Sequence, residues 1–143
     1  MADPTLEYED DLVRISWKPD DEYYVAEWKS VFRKGEPLRR AYQACIEAAF
    51  KRKGALWLVD ASHFSVLDPA DVEWVERSFW PAFVRAGAVY QACIVPKKEV
   101  SKLTARRSLA NLRKSGRFEL SLHTERDDAE KTLLEYRAKN QKA

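Results

Sequence analysis

Glycine, cysteine and histidine are scarce in this chain: four, two and two in 143 residues. Each shortage removes a class of chemistry. Neither G-x-G-x-x-G nor G-x-x-x-x-G-K-[ST] occurs, so the chain carries no Gly-rich phosphate loop of either kind. Cys45 and Cys93 stand far apart and form neither a Cys-rich zinc site nor a redox C-x-x-C. His63 and His123 make no H-x₃-H pair, so no metal site is expected, and no cofactor. Long apolar runs are missing as well. The longest stretch without a charge, Ala86 to Pro96, is about half of the ~20 residues a membrane-spanning helix requires. The first eleven residues carry Asp3, Glu7, Glu9, Asp10 and Asp11, the opposite of a signal peptide's basic start and apolar core. These absences predict a soluble cytoplasmic protein without integral membrane association.

The chain is nonetheless well supplied for a core, with 45% hydrophobic, 12% aromatic and 34% charged residues. That balance fits one ordered domain over residues 1–143, with 1–5 and 140–143 loose, burying roughly two thirds of its unfolded surface. The net charge of +2 hides polarity. Residues 1–30 hold nine acidic and three basic side chains, whereas residues 96–143 hold seven acidic and thirteen basic. Such asymmetry bears on partners more than on fold.

Leu12 to Trp17 alternates apolar and polar residues, the period-2 pattern of a strand with one buried face. Lys18-Pro19-Asp20-Asp21 is turn chemistry, and Glu22 to Trp28 supplies residues suited to a second strand. A β-hairpin follows, with a helix starting at Asp20 as the competing assignment. From Pro37 the period changes. Leu38, Ala41, Tyr42, Cys45, Ile46 and Ala49 form one helical stripe, and Gly54 closes it. Ala55 to Val59 and Val89 to Val95 read as strands covered on both faces.

Between them, Asp68-Pro69-Ala70-Asp71 is a helix start, with Asp68 as N-cap and Pro69 at the first helical position. Its stripe of Val72, Val75, Phe79, Ala82 or Phe83, and Ala86 runs to Gly87, and Pro81 inside it predicts a kink or a break near Ser78–Trp80. A helix within Lys97–Ser115, a strand through Phe118, Leu120 and Leu122, and a last helix with Thr124 as its cap, carrying Ala129, Thr132, Leu133 and Tyr136, complete the order. Hairpin, helix, strand, helix, strand, helix, strand, helix is an α/β arrangement. It predicts a mixed, mainly parallel sheet with packed helices.

That order resembles the STAS superfamily of anti-sigma-factor antagonists, and most closely its small stand-alone bacterial members. The strings that carry the similarity are Glu27-Trp28-Lys29, Leu58-Val59-Asp60, Pro69-Ala70-Asp71-Val72-Glu73-Trp74 and Phe79-Trp80-Pro81-Ala82, within residues 7–139. The resemblance implies a STAS-like fold and a regulatory contact with a protein partner around the loop after the Asp60 strand. In the antagonists one serine of an Asp-Ser-Ser-Gly-like helix start accepts phosphate. Here Asp68 matches, but Pro69 and Ala70 occupy the serine positions and Asp71 that of the glycine, so the phospho-switch is missing.

Asp60, Ser62, His63, Ser65 and Asp68 cluster beyond a central strand's carboxyl end, where open α/β sheets bind ligands. A nucleophile, base and acid can be assembled from them on paper. The simpler assignment is a capped helix and a shaped turn, because no G-x-S-x-G elbow surrounds either serine. Both cysteines fall on apolar faces and are expected to be inert. Lys97, Lys98, Lys102, Arg106, Arg107 and Arg113 make a basic segment able to meet anions, though no nucleic-acid motif accompanies it. Nucleic acid is therefore a disfavoured partner.

The expected function is a non-enzymatic regulatory or protein-interaction module. Its contact surface is drawn from Ser62, His63, Ser65, Asp68, Asp71 and Trp74. The partner is unknown, and a homodimer is one arrangement left open. The alternatives are a binder of small apolar ligands or lipids, and weak binding to nucleic acid or anionic surfaces through residues 97–117.

Overall fold

A computed structural model describes residues 3–29, 34–63, 68–95 and 118–140. Strands β1 (Thr5–Glu9), β2 (Val13–Lys18) and β3 (Tyr23–Trp28) come first, followed by helix α1 (Glu36–Lys51) and β4 (Leu56–Asp60). Helix α2 (Pro69–Trp74) runs through a π-helical turn (Val75–Phe79) into α3 (Trp80–Arg85). Then come β5 (Tyr90–Ile94), β6 (Glu119–His123) and α4 (Arg126–Asn140). The strands form a six-stranded sheet in the order β1-β2-β3-β4-β5-β6. β1–β3 pair antiparallel and β3–β6 parallel, giving the mixed α/β sheet that the alternating pattern predicts.

The order of elements departs from expectation at the start. A third strand, β1, precedes the hairpin and pairs antiparallel with β2, with a register shift between Leu6 and Tyr8. Its acidic residues obscure it in the sequence, yet Glu7 is held by Lys51 (3.0 Å) and by Arg52, whose guanidinium lies over the Trp17 ring. Acidity here marks an edge strand tied down by cations. The competing helix at Asp20 does not form. Lys18 and Glu22 close a tight turn in which Glu22 takes a φ of 54°. The basic helix expected within Lys97–Ser115 lies outside the described residues.

The sheet has two apolar faces. On one, Leu38, Ala41, Ala44, Cys45 and Ala48 of α1 meet Val13, Ile15, Tyr24, Trp57 and Val59, joined by Val75, Phe79 and Phe83. On the other, Ala129 and Leu133 of α4 cover Tyr23, Val25, Leu56, Leu58, Tyr90 and Ala92. The unbroken apolar runs of β4 and β5 follow from this double cover. Pro81 has no N–H to donate back along its helix, and the wide turn at Val75–Phe79 absorbs the defect where the kink was expected. That turn directs Phe79 and Trp80 inward, with Trp80 packed on Phe79 (5.0 Å) and Phe118 (5.9 Å). Gly87 follows at a φ of 117°, and a Cβ there would meet Lys53 Cβ at 2.8 Å. Only glycine fits so close to the end of α1.

Candidate functional site

In register across the parallel strands, Glu27 of β3 neighbours Asp60 of β4, Asp60 neighbours Ile94 of β5, and Ile94 neighbours His123 of β6. Strand side chains alternate between faces, so these four occupy one row on the α4 side, at the carboxyl ends of the strands. The next row inward is Val25, Leu58, Ala92 and Ser121. Open parallel sheets present ligands at this edge. α4 begins above the row, and its first turn supplies Arg126 and Asp128.

At the β4 end the polar groups tie one another down. Asp60 Oδ1 accepts from the Ser62 hydroxyl (2.6 Å) and from the Ser62 backbone N–H (3.0 Å). Its Oδ2 lies 3.8 Å from Arg126, which also meets Glu27 at 3.2 Å. One guanidinium therefore spans two carboxylates on adjacent strands and lowers the repulsion between them. His63 is exposed beside this cluster. Asp68 caps α2 as expected, accepting from the Ala70 N–H at 3.3 Å.

The remaining residues expected at the contact surface are placed differently. Asp71 is 3% exposed, accepts from the Gly35 N–H at 3.2 Å, and has Arg39 at 3.9 Å. It joins the start of α2 to the start of α1 and is not free to meet a partner. Trp74 is half-buried near Tyr42 (6.1 Å), with the Arg39 guanidinium over its ring at 5.5 Å. Ser65 lies outside the described residues, as do Lys97, Lys98, Lys102, Arg106, Arg107 and Arg113. Cys45 and Cys93 are buried, and burial pushes each thiol up to about 12, as inert thiols require.

At the β6 end stands a set the sequence does not announce. His123 Nδ1 lies 2.6 Å from Asp128 Oδ2, and His123 Nε2 lies 2.8 Å from Ser121 Oγ. Ser121 Oγ in turn lies 2.6 Å from the Tyr90 hydroxyl. A carboxylate accepts only, so Nδ1–H donates to Asp128, and the tautomer with its proton on Nδ1 leaves Nε2 to accept the Ser121 proton. In that tautomer the Tyr90 hydroxyl completes the series as a donor to Ser121. The imidazole side chain is 7% exposed, whereas the Asp128 side chain is 66% exposed. The faint signal in the sequence is Ser121-x-His123 on a strand, two side chains on one face, followed by a helix start rich in aspartate.

Among the described residues no group of three or more His, Cys, Asp or Glu is arranged to hold a metal ion. No helix among them is long and apolar enough to cross a membrane. Compared with family models, curated proteins and solved structures, the chain has no match in any of the three.

Proposed function

We propose that the chain is a regulatory protein-interaction module of STAS-like fold, and that its contact surface is the carboxyl-end rim of β3 and β4. The observation that carries this proposal is the fixed polar cluster of Glu27, Asp60, Ser62 and Arg126, with His63 exposed beside it. A rim whose side chains are already held in place loses little conformational freedom when a partner docks. Ser62 donates to a carboxylate here, an arrangement suited to shaping a turn and presenting a surface. The described part of this edge is also rich in acid. Glu9, Asp10 and Asp11 lie at the β1–β2 turn, where Lys29 pairs with Glu9 at 2.8 Å, beside Val13, which pairs with Trp28 at the end of β3. The partner surface is accordingly basic. The resemblance to anti-sigma-factor antagonists points to the same region, without their phospho-acceptor.

The test places a photo-crosslinking residue at position 63 and, as a control, at position 53 across the molecule. It then repeats the position-63 crosslink in a Glu27→Lys/Asp60→Lys background. One discrete partner, crosslinked from 63, not from 53, and lost on charge reversal, is the expected result. Equal crosslinking from both positions, or a partner indifferent to the reversal, would overturn the proposal.

A further inference from the structure

The geometry points to Ser121 as an acyl-accepting nucleophile, with His123 as its base, Asp128 orienting the imidazole and Tyr90 positioned to donate to the developing oxyanion. Four observations converge. Nucleophile and base are in hydrogen-bond contact at 2.8 Å, and the base is fixed from behind at 2.6 Å. Those are the two contacts that serine activation requires, whatever the fold. The Tyr90 hydroxyl lies 2.6 Å from Ser121 Oγ, close enough to reach an oxygen bound to the same carbon as Oγ. Tyr90 is itself held by stacking on Tyr136 at 4.1 Å and 9°. Finally, Ser121 is partly exposed, so an incoming carbonyl can reach it, while the imidazole side chain is only 7% exposed and so held in one position.

The step balances with water as the second substrate. Ser121 Oγ bonds to the carbonyl carbon of an ester while its proton passes to His123 Nε2. The carbon–alkoxy bond breaks, and the alcohol departs with that proton. Water then attacks the acyl-serine, giving its proton to His123, and the acid leaves as Ser121 recovers its hydrogen. Glu119 and Asp127, exposed near the site, add negative charge to that of Asp128. They disfavour carboxylate- or phosphate-bearing donors, so the substrate class is a neutral or cationic ester.

The experiment uses a fluorophosphonate probe on the folded chain, read by intact mass and peptide mapping, beside hydrolysis of p-nitrophenyl acetate. One adduct on Ser121 is expected. Ser121→Ala should lose it and His123→Gln should slow it about 100-fold. Ser78→Ala, at an exposed serine on the π-helical turn, should label as the parent does. Asp128→Asn should displace the acid limb of the pH–rate profile, which a role confined to anchoring α4 would leave in place. Should Ser121→Ala fold poorly, Ser121→Cys serves instead, its thiol alkylated faster with His123 present than in a His123→Gln background. No adduct on the folded parent, an adduct that persists in Ser121→Ala, or a thiol in Ser121→Cys indifferent to His123 would sink the proposal.

Discussion

Ser62 and Ser121 both sit near the carboxyl edge of the parallel sheet, yet they are held in opposite chemical ways. Ser62 stands next to a histidine in the sequence and donates to a carboxylate, while His63 faces solvent. Ser121 stands two residues from a histidine and meets that ring directly. Adjacent residues on extended or turning chain point apart, whereas residues two apart on a strand share a face. Sequence neighbours therefore make a turn at one site. At the other, strand period and a returning helix make a proton relay.

The two sites share α4, whose first turn sends Arg126 to one and Asp128 to the other. Removing its anchor is the most damaging way to break the comparison. Leu133 is fully buried, and Leu133→Ala should lower stability by about 2–5 kcal/mol in denaturant titrations. A loss below about 1 kcal/mol would mean that α4 does not clamp the edge. Next in size is Asp71→Ala, which leaves the Gly35 N–H without its acceptor and should cost about 1–3 kcal/mol. Because Asp71 is tied to the start of α1 while Ser121 and His123 lie on the α4 side of the sheet, fluorophosphonate labelling at Ser121 should be unchanged in that variant.

A finer distinction is kinetic. Cys93, on the opposite side of β5 from Ile94, and Cys45 on α1 have thiols that burial raises to about 12. Neither should react with Ellman's reagent at pH 8 until the chain is unfolded, and rapid reaction of the native protein would show that the sheet opens. The smallest effect concerns Glu7, at the far edge of the sheet. Burial works to raise its carboxyl, but hydrogen bonds and charge from Lys51 and Arg52 outweigh it and hold the group below its ordinary 4.5. A carboxyl lowered on folding contributes stability above 4.5 that is lost as pH falls through the lower folded value. Glu7→Gln should therefore flatten the acid limb of stability against pH while changing neutral-pH stability by no more than about 1 kcal/mol.

Much of the parallel half was legible because its signals are local: the Asp68 cap, the α1 stripe and the continuous apolar runs of β4 and β5 all act within a few residues. The place of the irregularity before Pro81 was legible too, since Pro81 removes a donor at a known position, but its form as a π-helical turn was not. β1 was not, because Glu7 and Glu9 mask a period-2 strand whose partners, Lys51, Arg52 and Lys29, come from distant chain. The Ser62 region was visible as a cluster, though not the inward turn of Asp71 toward Gly35. The Ser121 set escaped altogether. It needs the register of β5 against β6 and the return of α4, and neither leaves more than a trace in the sequence.

The sheet's order has a consequence for synthesis. Each strand lies beside its predecessor, so a chain leaving the ribosome adds strands at one growing edge, beginning with antiparallel pairs that need only short loops. Glu27 and Asp60 meet early. Ser121 and His123 arrive with the last strand, and Asp128 joins them only as α4 emerges. A nascent or truncated chain thus brings Glu27 and Asp60 side by side early, but both ends of the row wait for the same last helix, which supplies Arg126 to one and Asp128 to the other.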